Sequence, residues 1–375
     1  MRIAYFSSAC IPSRTANSIH VMKMCQALAR AGHEVVLFAP DNAKTGAPNE
    51  PDPFDYYGIE RIFHIEYLPW RGRVADGAWY RLNSAWQVKR LGFDLALGRG
   101  LAACCFASWL GIPTIYETHA PIEDDGVVGR ILFSLLIRAP AFKYFVVITN
   151  ALQRHFEEAW PALRGRVVVA PDGADPLLNG VEPVELASAG SRMQVGYTGH
   201  LYPGKGAELV VDLARVCPQF DFHIVGGTSD DLSHWRSRDD LPDNLKLHGH
   251  QPHKDIPAYL ISFDVVLLPN QPVVKLETGN KDIGRWTSPL KLFEYMAAGR
   301  AIVCSNVPVL QEVAEDGVNM LVCRHDDVSE WAAALRRLWA DPGLRRSLGN
   351  TARGQLESRY TWGVRARYLI DPERF

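Results

Sequence analysis

Apolar and polar positions fall in alternating blocks along this chain. Arg2 to Phe6 is a short apolar run that opens into a polar loop. After the loop, Ile19, Met22 and Leu28 share one stripe at helical spacing, Gly32 supplies a left-handed exit, and a second apolar run extends from Glu34 to Ala39. That order predicts a β-α-β unit. Further runs at Asp94 to Gly98, Pro113 to Glu117, Tyr144 to Thr149 and Arg166 to Ala170 are separated by helical lengths such as Gly77 to Leu91 and Leu101 to Leu110. Strands spaced by helices in this way predict a parallel sheet covered on both faces.

From Pro171 to Arg192 the period disappears among prolines, glycines and short polar residues, which predicts a linker. The alternation then restarts, with strands at Met193 to Thr198, Asp221 to Val225, Leu245 to Leu247, Asp264 to Leu268, Ala301 to Cys304 and Met320 to Cys323. The tail from Ser329 is helix-rich, and Tyr360 to Ile370 reads as a last helix returning to the first domain. The expected fold class is α/β, with two Rossmann-like doubly wound domains over residues 1–180 and 181–355 and a terminal helix in 356–375. Two such sheets in series are expected to face a central cleft at the carboxyl ends of their strands. Chemistry is therefore sought in the loops that follow strands.

At 375 residues the chain is long enough for two cores of ordinary size. Forty basic against forty-two acidic residues give a net charge of -2, so nucleic acid is not an expected partner. The start, MRIAYFSSAC, lacks the long apolar core of a signal peptide. Seven cysteines without a C-x-x-C pair, mostly in apolar surroundings, read as reduced core thiols and predict a cytoplasmic protein. No stretch reaches the ~18 apolar residues of a membrane span. The nearest approach is Val127 to Ile137, VVGRILFSLLI, with Arg130 inside it and Arg138 after it. It reads either as a core helix or as a peripheral contact with the inner face of a membrane.

The first loop, Ser7 to Asn17, tests for a dinucleotide-dependent oxidoreductase. The glycines such a turn needs are missing, because the first glycine in the chain is Gly32, and no P-loop pattern occurs either. Asn17 and Ser18 offer hydrogen bonds at a helix start or serve simply as its cap. The segment Trp286 to Val303, WTSPLKLFEYMAAGRAIV, brackets a helix, with Ser288 as N-cap, Pro289 at the first position and Gly299 at the exit. Its amino end, with the amides of Leu290 and Lys291 and the Lys291 ammonium, is suited to an anion. Leu292, Phe293, Met296 and Ala297 form the core stripe. Glu294 lies off that stripe, where it accepts hydrogen bonds from a sugar diol or makes an i,i+3 ion pair with Lys291.

Gly199 to Gly206, GHLYPGKG, adds a glycine-lined turn carrying His200, Gly204 and Lys205 just before another helix. His119, in YETHAP, follows a strand, and Glu117 two residues earlier is placed to orient its ring. His248, His250 and His253, in HGHQPH, invite a zinc reading, but no carboxylate or cysteine completes a familiar spacing, so no metal is expected.

Together, Gly199 to Gly206, the block SPLKLFEYMAAGRAIV and the segment ALARAGHEV at Ala27 to Val35 resemble the family 4 glycosyltransferases, in the same order over nearly the whole chain. The resemblance implies the GT-B fold, no required cofactor or metal, a nucleotide-sugar donor on the second domain, an acceptor on the first, and retention at the anomeric carbon. It places Lys205, His200, Gly204, Ser288, Leu290 and Lys291 at the diphosphate, Glu294 at the ribose, and His250 and Gln251 at the nucleobase. His119 falls over the transferred sugar, so His119, Lys205 and Glu294 are the expected catalytic set. Asn17, Ser18 and Asp282 are assigned to the acceptor or sugar.

Three positions depart from the family pattern. Trp286 stands where the first of two glutamates eight positions apart usually falls, leaving its sugar contact to Asp282 or Glu277. His200 stands where an arginine is usual, and Ala16 where a glycine begins the first helix. The expected activity is transfer of a sugar from a UDP- or GDP-sugar to a glycan, lipid-linked or small-molecule acceptor, in the setting of surface polysaccharide assembly. A sugar-nucleotide epimerase or hydrolase, and a non-catalytic nucleotide-sugar binding protein, are the alternatives.

Overall fold

The computed structural model describes residues 1–41, 52–69, 74–177, 180–186, 192–238, 240–274 and 282–374. They form two compact units, Met1–Pro171 with Trp362–Phe375, and Asp172–Thr361.

The first unit holds strands β1 (Arg2–Phe6), β2 (Glu34–Asp41), β3 (His64–Pro69), β4 (Leu95–Gly98), β5 (Thr114–Thr118), β6 (Phe142–Val147) and β7 (Val167–Val169). Its helices are α1 (Ala16–Arg30), α2 (Pro53–Tyr57), α3 (Val74–Arg90), α4 (Leu101–Trp109), α5 (Gly126–Leu136) and α6 (Asn150–Ala159). The sheet is parallel in the order β3-β2-β1-β4-β5-β6-β7. Strand order reverses between β1 and β4, so the loops leaving those two strands lie side by side, the usual ligand position of a doubly wound sheet. There, Asn17 Oδ1 accepts a hydrogen bond from Arg99.

Two elements escaped the pattern reading. Asp52 caps α2 by accepting from the amides of Phe54 and Asp55, and β3 is an edge strand on which only Leu68 is buried, so it shows no alternation. The expected strand ending at Thr149 stops at Val147, because the Thr149 side chain turns to cap α6 by accepting from Leu152 N at 3.2 Å.

The apolar run VVGRILFSLLI is divided between two environments. As α5, it buries Phe133 and Leu136, the Phe133 ring packing against Tyr116, Phe145 and Phe156, with Phe133–Phe145 ring centroids 5.1 Å apart. Burial of each such side chain contributes ~1.5–3 kcal/mol. Val127, Val128, Ile131 and Leu135 point outward, the first two 73% and 67% exposed. The segment is thus a core helix on one face only.

The second unit holds β8 (Gln194–Thr198), β9 (Asp221–Val225), β10 (Leu245–Gly249), β11 (Val265–Leu268), β12 (Ala301–Ser305) and β13 (Leu321–Cys323), in the parallel order β10-β9-β8-β11-β12-β13. Its helices are α7 (Ala207–Val216), α8 (Ser229–Arg236), α9 (Ile256–Ser262), α10 (Leu290–Ala298), α11 (Val328–Ala340) and α12 (Pro342–Gln355). Inward-facing residues of β8, β9 and β11 pack with Leu209, Leu213, Trp331 and Leu335 into a continuous core. The last helix, α13 (Trp362–Ile370), groups with the first unit and packs against α1. Among the described residues no helix is long and apolar enough to cross a membrane.

Candidate active site

The loop from β8 to α7 is held against the segment that follows β11, and glycine makes that possible. Gly204 and Gly206 have φ of +91° and +83°, and β-carbons there would lie 2.3 Å from Val273 O and 2.0 Å from Pro269 O. Gly204 O also accepts from Gln271 N at 2.9 Å. Between the two glycines, Lys205 is carried inward to 9% exposure, with its ammonium 5.1 Å from the Tyr202 ring centroid. Burial pulls its pKa down to about 8. A solvated loop lysine would show neither property.

The second cation comes from α10. Gly299 closes that helix at φ +63°, as the sequence predicts, but Ser288 does not cap its start. Pro289 occupies the cap position, without a side-chain bond, and Ser288 is buried outside the helix, where its Oγ accepts from Asp172 N at 3.1 Å. The amides at the amino end, from Leu290 onward, therefore lack a side-chain cap. Lys291 folds back over the Tyr197 ring, Nζ 4.1 Å from the centroid and 3.3 Å from where a β-carbon on Gly199 would sit. Its ammonium is buried and has no hydrogen-bond partner among the described residues. Desolvation first, then the neighbouring Lys205 charge, push its pKa well down, with Glu294 opposing. Tyr295, one turn along, donates to and accepts from Thr198, its OH 2.8 Å from Thr198 N, and pins α10 to the end of β8.

Two buried ammonium groups beside two helix starts form a site complementary to a polyanion. Neither ammonium has an ion pair among the described residues, so the charge is left for a ligand to neutralise.

Two family models cover the two units in turn. The model described as Glycosyltransferase Family 4 matches residues 18–176, and that described as Glycosyl transferases group 1 matches residues 192–341. The chain belongs to the family 4 glycosyltransferases. Full-length relatives agree. A D-inositol 3-phosphate glycosyltransferase of Kineococcus radiotolerans is 23% identical, over 95% of this chain and 89% of its own length. A phosphatidyl-myo-inositol mannosyltransferase of Mycolicibacterium smegmatis is 25% identical, over 92% and 86%. Among solved structures, Anabaena HepE in complex with UDP and glucose superposes with a TM-score of 0.71 at 17% identity, covering 100% of this chain and 99% of that one. Sucrose-phosphate synthase of Thermosynechococcus elongatus gives 0.71 at 20%, covering 100% and 98%. The two Rossmann-like units of the glycosyltransferase are those of the GT-B fold.

The remaining residues of this glycosyltransferase singled out in the sequence fall as follows. Glu294 pairs with His253, Oε1 to Nε2 at 2.8 Å, rather than with Lys291. His248 turns away to His223 at 2.9 Å and His250 is exposed, so the three histidines of HGHQPH do not converge. Gln251 Nε2 donates to His248 O at 3.1 Å. His200 is exposed, its ring 5.4 Å from that of Tyr202. Asp282 Oδ1 accepts from the amides of Val274 and Gly284, both at 2.9 Å, and so shapes its own loop. Glu277 lies outside the described residues. Trp286 packs under Arg285, whose Cζ is 5.2 Å from its ring centroid. The cap of α1 is Thr15, accepting from Ser18 N at 3.3 Å, not Asn17 or Ser18; the Ser18 hydroxyl instead donates to Ser13 O and Thr15 O.

In the first unit, His119 Nε2 sits 2.6 Å from Glu117 Oε1. The Arg365 guanidinium of α13 donates to both oxygens of the same carboxylate, and His20 Nε2 lies 3.0 Å from Oε1. His20, Glu117 and His119 bring three metal-capable atoms within 4.8 Å of one another, but a dication there would have to displace the bonded guanidinium. Sequence reading found His119 and Glu117 and missed His20 and Arg365, whose relevance depends on chain segments far apart in sequence.

Proposed function

We propose that the enzyme transfers a sugar, with retention, from a UDP- or GDP-sugar to a glycan, lipid-linked or small-molecule acceptor. The observation that carries this reading is the Lys205–Lys291 pair: two buried, unneutralised ammonium groups at two helix starts suit a diphosphate more than a single carboxylate or an apolar ligand. As the bond from the anomeric carbon to the diphosphate breaks, negative charge grows on the leaving oxygens. Both ammonium groups and the amides of α7 and α10 stabilise it where it forms. The leaving phosphate then helps to take the acceptor proton on the same face of the sugar, which retains configuration. Glu294 binds the ribose diol, His250 and Gln251 line the nucleobase, and His119 meets a hydroxyl of the transferred sugar. The UDP named with HepE, and the D-inositol 3-phosphate and phosphatidyl-myo-inositol in the relatives' names, support the same classes here.

The acceptor side draws on α5. Val127, Val128, Ile131 and Leu135 are exposed, with Trp109 of α4 also exposed and donating its Nε1–H to Leu135 O at 3.2 Å. Such a patch, with Arg130 on the same helix and Arg138 just beyond its end, suits peripheral attachment to the inner face of a membrane where a lipid-linked acceptor resides.

Lys205→Ala tests the donor reading. Turnover on a nucleotide-sugar with its acceptor is expected to fall at least ~100-fold, the scale of losing one charge-stabilising donor. Nucleotide release that needs no acceptor identifies a hydrolase, and near-normal transfer by the variant refutes the role of Lys205.

A further inference from the structure

Glu117 is an unusual carboxylate for a strand end. It is fully buried, and groups from three separate stretches of chain converge on it: His119 Nε2 at 2.6 Å, His20 Nε2 at 3.0 Å, and Arg365 Nη2 at 2.9 Å, all at Oε1, with Arg365 Nη1 at 3.3 Å from Oε2. Burial alone would raise its pKa, but Arg365, His20 and His119 outweigh that and hold it well below the ordinary carboxylate value. The group is therefore an ionised, acceptor-only partner. Arg365 is itself fixed, its Nε donating to Pro171 O at 2.9 Å and Nη2 to Ala170 O at 3.1 Å. The His20 ring stands edge-on to His119, centroids 4.8 Å apart, and to Trp362 of α13, 5.2 Å apart.

An acceptor-only oxygen at 2.6 Å requires the His119 proton to be on Nε2. His119 therefore donates from Nε2 to this carboxylate. We infer that Glu117, locked by Arg365 of the C-terminal helix, is a positioning residue that fixes His119 as its Nε2–H tautomer and presents Nδ1 as the acceptor for a hydroxyl of the transferred sugar. This rests on the proposed contact between His119 and the sugar. The carboxylate plays the part that outer carboxylates play for metal-bound histidines, setting tautomer and ring angle from behind. If its only task were to tie α13 to the sheet, the bidentate Arg365 pair would serve without His119.

The test uses the full chain labelled with 15N-histidine. In the wild type, long-range 15N–1H spectra are expected to show Nε2 of His119 as protonated and Nδ1 as the unprotonated ring nitrogen, the signals being assigned by their loss in His119→Asn. A protonated Nδ1, in either the other tautomer or the imidazolium, overturns the inference whatever the variants do. In Glu117→Gln, whose amide both donates and accepts, the two tautomers should mix. Its kcat should fall about 10- to 100-fold, as for loss of a comparable outer carboxylate, with the Kd for nucleoside diphosphate within about twofold of wild type. Arg365→Lys should keep more of the wild-type spectrum and kcat than Arg365→Met. A folded Glu117→Gln chain with unchanged ring signals and kcat makes Glu117 a structural tie only, and overturns the proposal. Should the wild type transfer no sugar from any donor, the transferase reading fails, and the spectrum still decides the tautomer.

Discussion

At the scale of single residues, Lys205 and Lys291 differ from Arg365, which is also buried but pairs with Glu117, in having no ion pair among the described residues. Arg215, Arg238 and Arg324 sit in exposed ion pairs that solvent screens. Lys205, by contrast, is charged only below about pH 8, where it bears the cost of a desolvated ammonium. Its pKa is lower folded than unfolded, so this cost is fully present below about 8 and is relieved as pH rises toward the unfolded value. A bound diphosphate reverses the preference and favours the charged form. Nucleoside diphosphate should consequently bind most tightly below pH 8 and progressively more weakly from pH 8 to 9.5, with proton uptake on binding near pH 8.5. Calorimetry in buffers of differing ionisation enthalpy measures both. Lys205→Arg, which stays charged throughout, should flatten the profile, and a flat wild-type profile would show that Lys205 does not touch the phosphates.

Helices α5 and α10 show, at the scale of elements, what a pattern reveals and what it hides. For α10, the apolar stripe and Gly299 gave the span within a residue or two, since periodicity and a left-handed exit are local properties. Ser288 misled because a serine one residue before proline looks like a cap, whereas here its hydroxyl is taken by Asp172. Thr15 displaced Asn17 and Ser18 for the same reason: several residues at one loop end had suitable side chains, and backbone geometry chose among them. The convergence of Arg365 and His20 on Glu117 left no trace in sequence, because no spacing rule relates residues so far apart. For α5 the composition was plain but its orientation was not, and only the folded chain shows that half of its apolar positions face outward. Replacing two of these, Val128→Asp with Ile131→Asp, should leave the melting temperature within about 4 °C, since two surface changes of up to ~0.5 kcal/mol each total ~1 kcal/mol, at ~2–4 °C per kcal/mol. Co-sedimentation with phosphatidylglycerol–phosphatidylethanolamine vesicles should drop by at least about fivefold, because each buried CH₂ removed from the interface costs about 0.8 kcal/mol. Equal sedimentation of variant and wild type would remove the membrane from the proposed function.

On the scale of the whole molecule, the alternation of apolar runs carried the reading furthest, since strand, helix and strand in repeated order leave few arrangements other than parallel sheets. Each of the two units has its own sheet and core, and the proposed diphosphate cradle is made wholly within Asp172–Thr361. A ligand seated there stabilises that unit directly, by about 2.7 kcal/mol when present at 100 times its Kd. At ~2–4 °C per kcal/mol for a unit of this size, the corresponding melting transition should rise by about 5–10 °C. UDP and GDP should differ in this shift, because Glu294, His250 and Gln251 are proposed to meet the ribose and base while the phosphates are common to both. Differential scanning calorimetry with each nucleotide in turn measures it and names the preferred base. Lys291→Met removes one cation without adding bulk, and should abolish most of the shift for both nucleotides while leaving the ligand-free transition unchanged or higher, as expected when an uncompensated buried charge is removed. A shift that survives in Lys291→Met would place the nucleotide elsewhere on the chain.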